Sequence, residues 1–177
     1  MSATVLLVDD EPRVTAALRR RLRREGMQVL EAQSGEQALE ILDAEAVDVL
    51  VSDERMPGMS GSELVRRAAE SHPEVIRIIL SGQATLDAAV KAINEGQIFR
   101  FLLKPCEETE LLYCIRQALE HRDLLRENTE LRREVDEKMR LLRHLEQDNP
   151  GITTIEEDEE GAVVIDVREA LDLTPER

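Results

Sequence analysis

Aromatic side chains are nearly missing: 177 residues contain no Trp, one Tyr and two Phe. Single strands of nucleic acid are held largely by stacking on such rings, so that mode of binding is excluded, and a core must be built from Val, Ile, Leu and Ala. Cysteine is equally scarce. Cys106 and Cys114 stand eight positions apart with no CxxC pair, which excludes a disulfide framework and a zinc site of the usual spacing. No apolar run approaches the ~18 residues that span a bilayer, and the first residues carry no signal-peptide pattern, so a cytoplasmic location is expected. Positive charge is in deficit, 23 Lys and Arg against 38 Asp and Glu, for a net charge of −15. That field opposes phosphate backbones and anionic lipid, so neither direct nucleic-acid binding nor a membrane partner is expected.

What the chain does have is a regular alternation. Thr4–Val8, Val47–Val51, Val75–Leu80 and Ile98–Leu103 are nearly continuous apolar runs, as in strands buried on both faces. Met27–Glu31 is a fifth, weaker strand pattern. Between them lie helical patterns at Pro12–Glu25, Gly35–Ala44, Gly61–Ser71 and Thr85–Glu95. Pro12 suits a first helical turn, Gly26 a helix stop, and Ser34 with Gln37 a capping box. Five βα repeats predict an α/β fold with a doubly wound parallel sheet, whose ligands bind beyond the carboxyl ends of the strands.

From Glu107 a helical pattern runs on to about Gln147. Asn128, Val135 and Leu142 fall at heptad position a, and Leu124, Leu131, Lys138 and Leu145 at d, a two-stranded seam that Lys138 weakens. Asn at a favours a parallel pair, and Glu127 at g would meet Arg132 at e of a partner. A parallel homodimer is therefore expected through Leu124, Asn128, Leu131, Val135, Leu142 and Leu145. Asn149-Pro150-Gly151 ends the helix. The acidic remainder, 148–177, alternates at Ile152–Glu156, turns at Glu157–Gly161 and is apolar again at Ala162–Val167, which reads as a β-hairpin. The expected divisions are thus a domain over 1–120, a long helix over 107–147 whose coiled coil starts near 121, and an acidic tail.

Polar residues fall where strands end: Asp9 and Asp10 after the first, Asp53 after the third, Ser81 after the fourth and Lys104 after the fifth. A parallel sheet brings these side chains to one edge. Carboxylates crowded there repel by roughly 4 kcal/mol per pair at 4 Å and an effective dielectric near 20, so a cation is required. Oxygen-only donors favour Mg²⁺, and a metal facing a lysine and a hydroxyl suits a phosphoryl group.

With LLVDDEP (Leu6–Pro12), VSDERMPGMSG (Val51–Gly61), LSGQA (Leu80–Ala84) and FLLKP (Phe101–Pro105), the first ~120 residues resemble the receiver domain of two-component response regulators. The resemblance implies a (βα)₅ flavodoxin-like fold with strand order 2-1-3-4-5, and phosphorylation of one aspartate by a histidine kinase or phosphotransfer protein. On that basis Asp53 is the phosphoacceptor. Asp10, Asp53 and the Arg55 carbonyl hold Mg²⁺, with Asp9 acting through its waters. Lys104 contacts the phosphoryl oxygens, while Ser81 and Phe101 form the switch. Arg55 and Gln83 would flank the path of a hydrolytic water. The protein would catalyse its own phosphorylation and dephosphorylation without being an ordinary enzyme.

The Arg19–Arg24 cluster reads equally as a kinase-facing surface or a solvated helix face. Cys106 and Cys114 read as packing residues, and His72, His121 and His144 as surface residues. For output, the expectation is a regulator that signals through its last helix and coiled-coil dimer to a protein partner of unknown identity. The alternatives are a receiver and coiled-coil portion of a larger regulator with an enzymatic output such as cyclic-di-GMP turnover, suggested by SGQA…AINEGQIFRFLLKP, and a phosphate sink with no output.

Overall fold

The structure is a computed structural model that describes residues 2–82 and 98–148. The expected helix Thr85–Glu95, Gln83 and the acidic tail with its hairpin lie outside the described residues. The elements are β1 (Thr4–Val8), α1 (Pro12–Arg24), β2 (Gln28–Ala32), α2 (Gly35–Ala44), β3 (Val49–Asp53), α3 (Gly61–Ser71), β4 (Ile76–Ser81), β5 (Arg100–Leu103) and α4 (Glu108–Asp148). All neighbouring strands are parallel, in the order β2-β1-β3-β4-β5. This is the doubly wound parallel sheet that the alternation predicts, in the flavodoxin-like strand order that the resemblance implies.

Side chains alternate across each strand, and the alternation sorts the core into two halves. Val5, Leu7, Val49, Val51, Ile78 and Leu80 face Leu22 of α1 and Leu111, Ile115 and Ala118 of α4. Leu6, Val8, Leu50 and Ile79 face Ala38 and Leu42 of α2 and Leu64, Val65 and Ala68 of α3. Every residue of β1 and of β3 is buried, as expected of strands covered by helices on both faces. Truncating Leu64 or Ile115, both wholly buried, to Ala would cost about 2–5 kcal/mol.

Helix starts follow local chemistry. Ser34 and Ser60 cap α2 and α3, their hydroxyls accepting from the amides of Gln37 and Glu63 at 3.2 Å. Gln37 returns the bond to the Gln33 amide, one position earlier than a strict capping box. Gly26, after α1, and Gly58, in the turn before α3, have φ of 80° and 81°, a region that other residues enter at a cost.

Contacts divide the chain into two units, Met1–Glu127 and Asn128–Arg177. The first reaches past residue 120, because Arg122 and Arg126 of α4 bind Asp48. In the described part of the second, Asn128–Asp148, the residues whose exposure is defined are all exposed, including Leu131, Val135, Leu142 and Leu145 at the heptad positions. Among the described residues no helix is long and apolar enough to cross a membrane.

Candidate functional site

The strand ends assemble the site. Asp9 follows β1 and is tied down by its amide, which donates to the Ala32 carbonyl at 3.2 Å, and by its Oδ1, which accepts from the Glu11 amide at 2.9 Å. Asp53 closes β3, and its Oδ2 accepts from the Arg55 amide at 3.0 Å. Lys104 follows β5, where its amide donates to the Ser81 carbonyl at 2.7 Å, and its peptide bond to Pro105 is cis. Its ammonium lies 2.6 Å from Asp53 Oδ1 and 3.0 Å from Asp9 Oδ2. One cation therefore serves two buried carboxylates.

Burial alone would lower the Lys104 pKa, but the hydrogen bonds to Asp53 and Asp9 outweigh it and hold the ammonium above its ordinary value. The lysine is charged at any physiological pH. Two carboxylates against one ammonium still leave negative charge in excess, and Asp10 adds to it. Asp10, Glu11, Asp53, Arg55, Gly82 and Lys104 line an open cleft of about 360 Å³ over the acidic side chains.

The donor set bears on the expected metal. Among the described residues no three Asp, Glu, His or Cys side chains form a ready cage. Mg²⁺ does not require one, since it keeps several waters and is commonly held by one or two carboxylates. The cleft offers oxygen donors, open space and surplus negative charge, and these suit a hydrated hard cation.

The turn after Asp53 is pinned from several sides. The Glu54 amide donates to the Leu80 carbonyl at 2.8 Å, and the Glu54 carboxylate accepts from the Ser62 hydroxyl at 2.8 and 2.9 Å. Met56 and Met59 are buried in the α2–α3 half of the core. Gly61 opens α3 directly against the end of β3, and a Cβ there would lie 2.2 Å from the Asp53 carbonyl oxygen. Only glycine fits without moving that backbone. This close approach was not legible from the sequence.

Ser81 is buried at the end of β4. Phe101, half-buried on β5, pairs in register with Ile79 and packs on the α2–α3 half of the core. Cys114 is buried and Cys106 half-buried, and burial raises both thiols, Cys106 to about 11. His144 is exposed, whereas His72 is half-buried with its imidazole 3.0 Å from Asp43, and the exposed His121 stacks on Phe99 at 5.3 Å between ring centres. On α1, Arg19 and Arg21 pair with Glu31 and Glu25, so part of the basic cluster is spent within the domain.

A family model of the response regulator receiver domain matches residues 5–116. The chain belongs to the response regulator receiver family. HoxA, a hydrogenase transcriptional regulatory protein of Cupriavidus necator, is 39% identical over 122 residues, which are 69% of this chain and 25% of that protein. This receiver chain thus spans about a quarter of the length of such curated relatives. The signal receiver domain of an HD domain-containing protein from Pseudomonas fluorescens Pf-5 superposes with a TM-score of 0.66 at 36% identity, covering 70% of this chain and 98% of its own. The response regulator TrrA of Thermotoga maritima, solved in complex with Mg²⁺-BeF, gives a TM-score of 0.60 at 25% identity over 66% of this chain and 99% of its own. The receiver fold and a place in two-component signalling follow from these matches.

Proposed function

We propose that this receiver takes a phosphoryl group onto Asp53 from the phosphohistidine of a histidine kinase or phosphotransfer protein. The observation that carries the reading is Lys104 bridging Asp53 and Asp9 at the carboxyl edge of the sheet. An Asp53 carboxylate oxygen attacks phosphorus, an O–P bond forms as the P–N bond breaks, and the imidazole departs as leaving group. Catalysis is chiefly alignment and charge neutralisation. The Arg55 amide and Lys104 hold the Asp53 carboxylate from two sides, and Lys104 stands ready to pair with phosphoryl oxygens. Asp10, Asp53 and the Arg55 carbonyl would hold Mg²⁺, with Asp9 acting through its waters. When bound, the ion supplies the neutralisation that one lysine cannot complete.

Modification adds about −1.5 to −2 charges to the edge. Ser81 then donates to the new oxygens and Phe101 follows into the space it leaves, which links the site to β5 and α4. Signal output runs along α4 to a parallel homodimer seam at Leu124, Asn128, Leu131, Val135, Leu142 and Leu145, and from there to a protein partner in the cytoplasm. Its occupant is a second copy, because Asn128 at a and the Glu127–Arg132 match across g and e complement the same sequence in register. A second reading has support from the length comparison and from the likeness to the receiver of an HD domain-containing protein: a receiver working within a larger regulator that carries an enzymatic output.

The test is phosphoryl uptake from a small acyl phosphate with Mg²⁺, comparing the parent with Asp53→Asn. Label should appear on the parent alone. Equal labelling of both proteins would end the assignment of Asp53.

A further inference from the structure

The opposite edge of the sheet holds a second charge cluster that the phosphoryl chemistry does not use. Asp48 lies just before β3, and its backbone ties three strands together: its amide donates to the Thr4 carbonyl at 2.9 Å and its carbonyl accepts from the Ile76 amide at 3.0 Å. Its carboxylate is fully engaged. Oδ2 accepts from the Thr4 amide at 2.8 Å, while Oδ1 lies 2.6 Å from Arg122 and 3.3 Å from Arg126, both on α4. The Arg122 and Asp48 side chains are only 12% and 14% exposed, so this pair is sheltered from solvent screening in a way that most surface pairs are not. A second carboxylate, Asp123, meets Arg122 at 2.5 Å and balances the cluster.

Arg122 and Arg126 are four residues apart and so share one face of the helix. Leu124 follows Arg122 by two positions and Asn128 follows Arg126 by two, each a turn of about 200°, which puts the start of the seam on the opposite face. Anchoring and pairing therefore need not compete.

We infer that Asp48 is the anchor for the exit of α4, holding Arg122 and Arg126 against the sheet so that the face beginning at Leu124 is presented to a second copy. The part of this inference that concerns pairing rests on the homodimer reading above. Asp48 is a positioning residue for that interface and touches neither the acceptor nor its cation. Nothing in a sequence pattern marks it, because its partners lie 74 and 78 positions further along the chain.

The experiment uses the full chain with Asp48→Asn, which can still accept from the Thr4 amide, and separately with Arg122→Gln combined with Arg126→Gln, which leaves the sheet untouched. Amide hydrogen exchange over residues 116–127 should quicken by about tenfold in both variants, while exchange in β1 and β3 holds. Dimer association measured by sedimentation should weaken by about fivefold, and phosphoryl uptake on Asp53 should match the parent, which a general loss of folding would not allow. Unchanged exchange over 116–127 in the double arginine variant overturns the anchor. A parent that is monomeric at every concentration overturns the pairing reading alone, because the exchange comparison still decides the anchor.

Discussion

The two edges of one sheet carry mirror-image charge clusters. At the carboxyl edge one ammonium, Lys104, lies between two carboxylates, Asp9 and Asp53, with Asp10 lining the same cleft. At the amino edge one carboxylate, Asp48, lies between two guanidinium groups, and Asp123 completes the balance. The first cluster is short of positive charge and open to an added cation, whereas the second is neutral and its central Asp48–Arg122 pair is sheltered. An unbalanced cluster has something left to bind, and a balanced one holds parts together. Reactivity and fastening are thus separated by the length of the strands.

Three tests would break or sharpen that contrast. The largest effect is expected from Gly61→Ala. Its Cβ would press the Asp53 carbonyl from 2.2 Å, so the strand end must shift, at about 1–3 kcal/mol by the usual scale of overpacking. Chemical denaturation should show this loss, and phosphoryl uptake should fall with it. A variant as stable and as reactive as the parent would show that the turn has slack.

The next effect distinguishes the clusters by sign. Asp53→Asn removes a repelling charge from the crowded edge, so its melting temperature at neutral pH should equal or exceed that of the parent. Asp48→Asn strips two arginines of their shared partner and should lower it, by about 1 kcal/mol in stability. If both variants move the same way, the two edges are not electrostatic opposites.

The smallest effect is alkaline. Lys104 is held above its ordinary value in the fold, so its contribution is fully present below the unfolded value of about 10.5 and is lost as pH rises through the higher folded value. Partial exposure of the ammonium keeps the slope shallow. Thermal melts from neutral to strongly alkaline pH should fall less steeply in Lys104→Met than in the parent.

How much of this could be read from the sequence depended on whether the cause was local. Apolar runs located β1, β3, β4 and β5, and a weaker pattern located β2, but the boundaries were missed. β3 extends through Ser52 and Asp53, because the ladder to β4 continues under polar side chains that a hydrophobic run cannot reveal. β5 starts at Arg100, although the run begins at Ile98. The residues of the carboxyl edge were legible because the topology of parallel strands collects their ends. Lys104 standing against both Asp9 and Asp53 was not, since spacing along the chain fixes no distance between side chains. Nor were the Gly61 approach, the Phe99–His121 stack or the Asp48 cluster, all of which join residues that only tertiary packing brings together.

The Thr4 amide on Asp48 has a practical consequence. It places the beginning of β1 beside the point where Arg122 and Arg126 are held, a whole strand away from the carboxylates. A fluorophore on Ser2, read against a second dye on the helix, would report release of that helix in real time without crowding the carboxylates at the other edge.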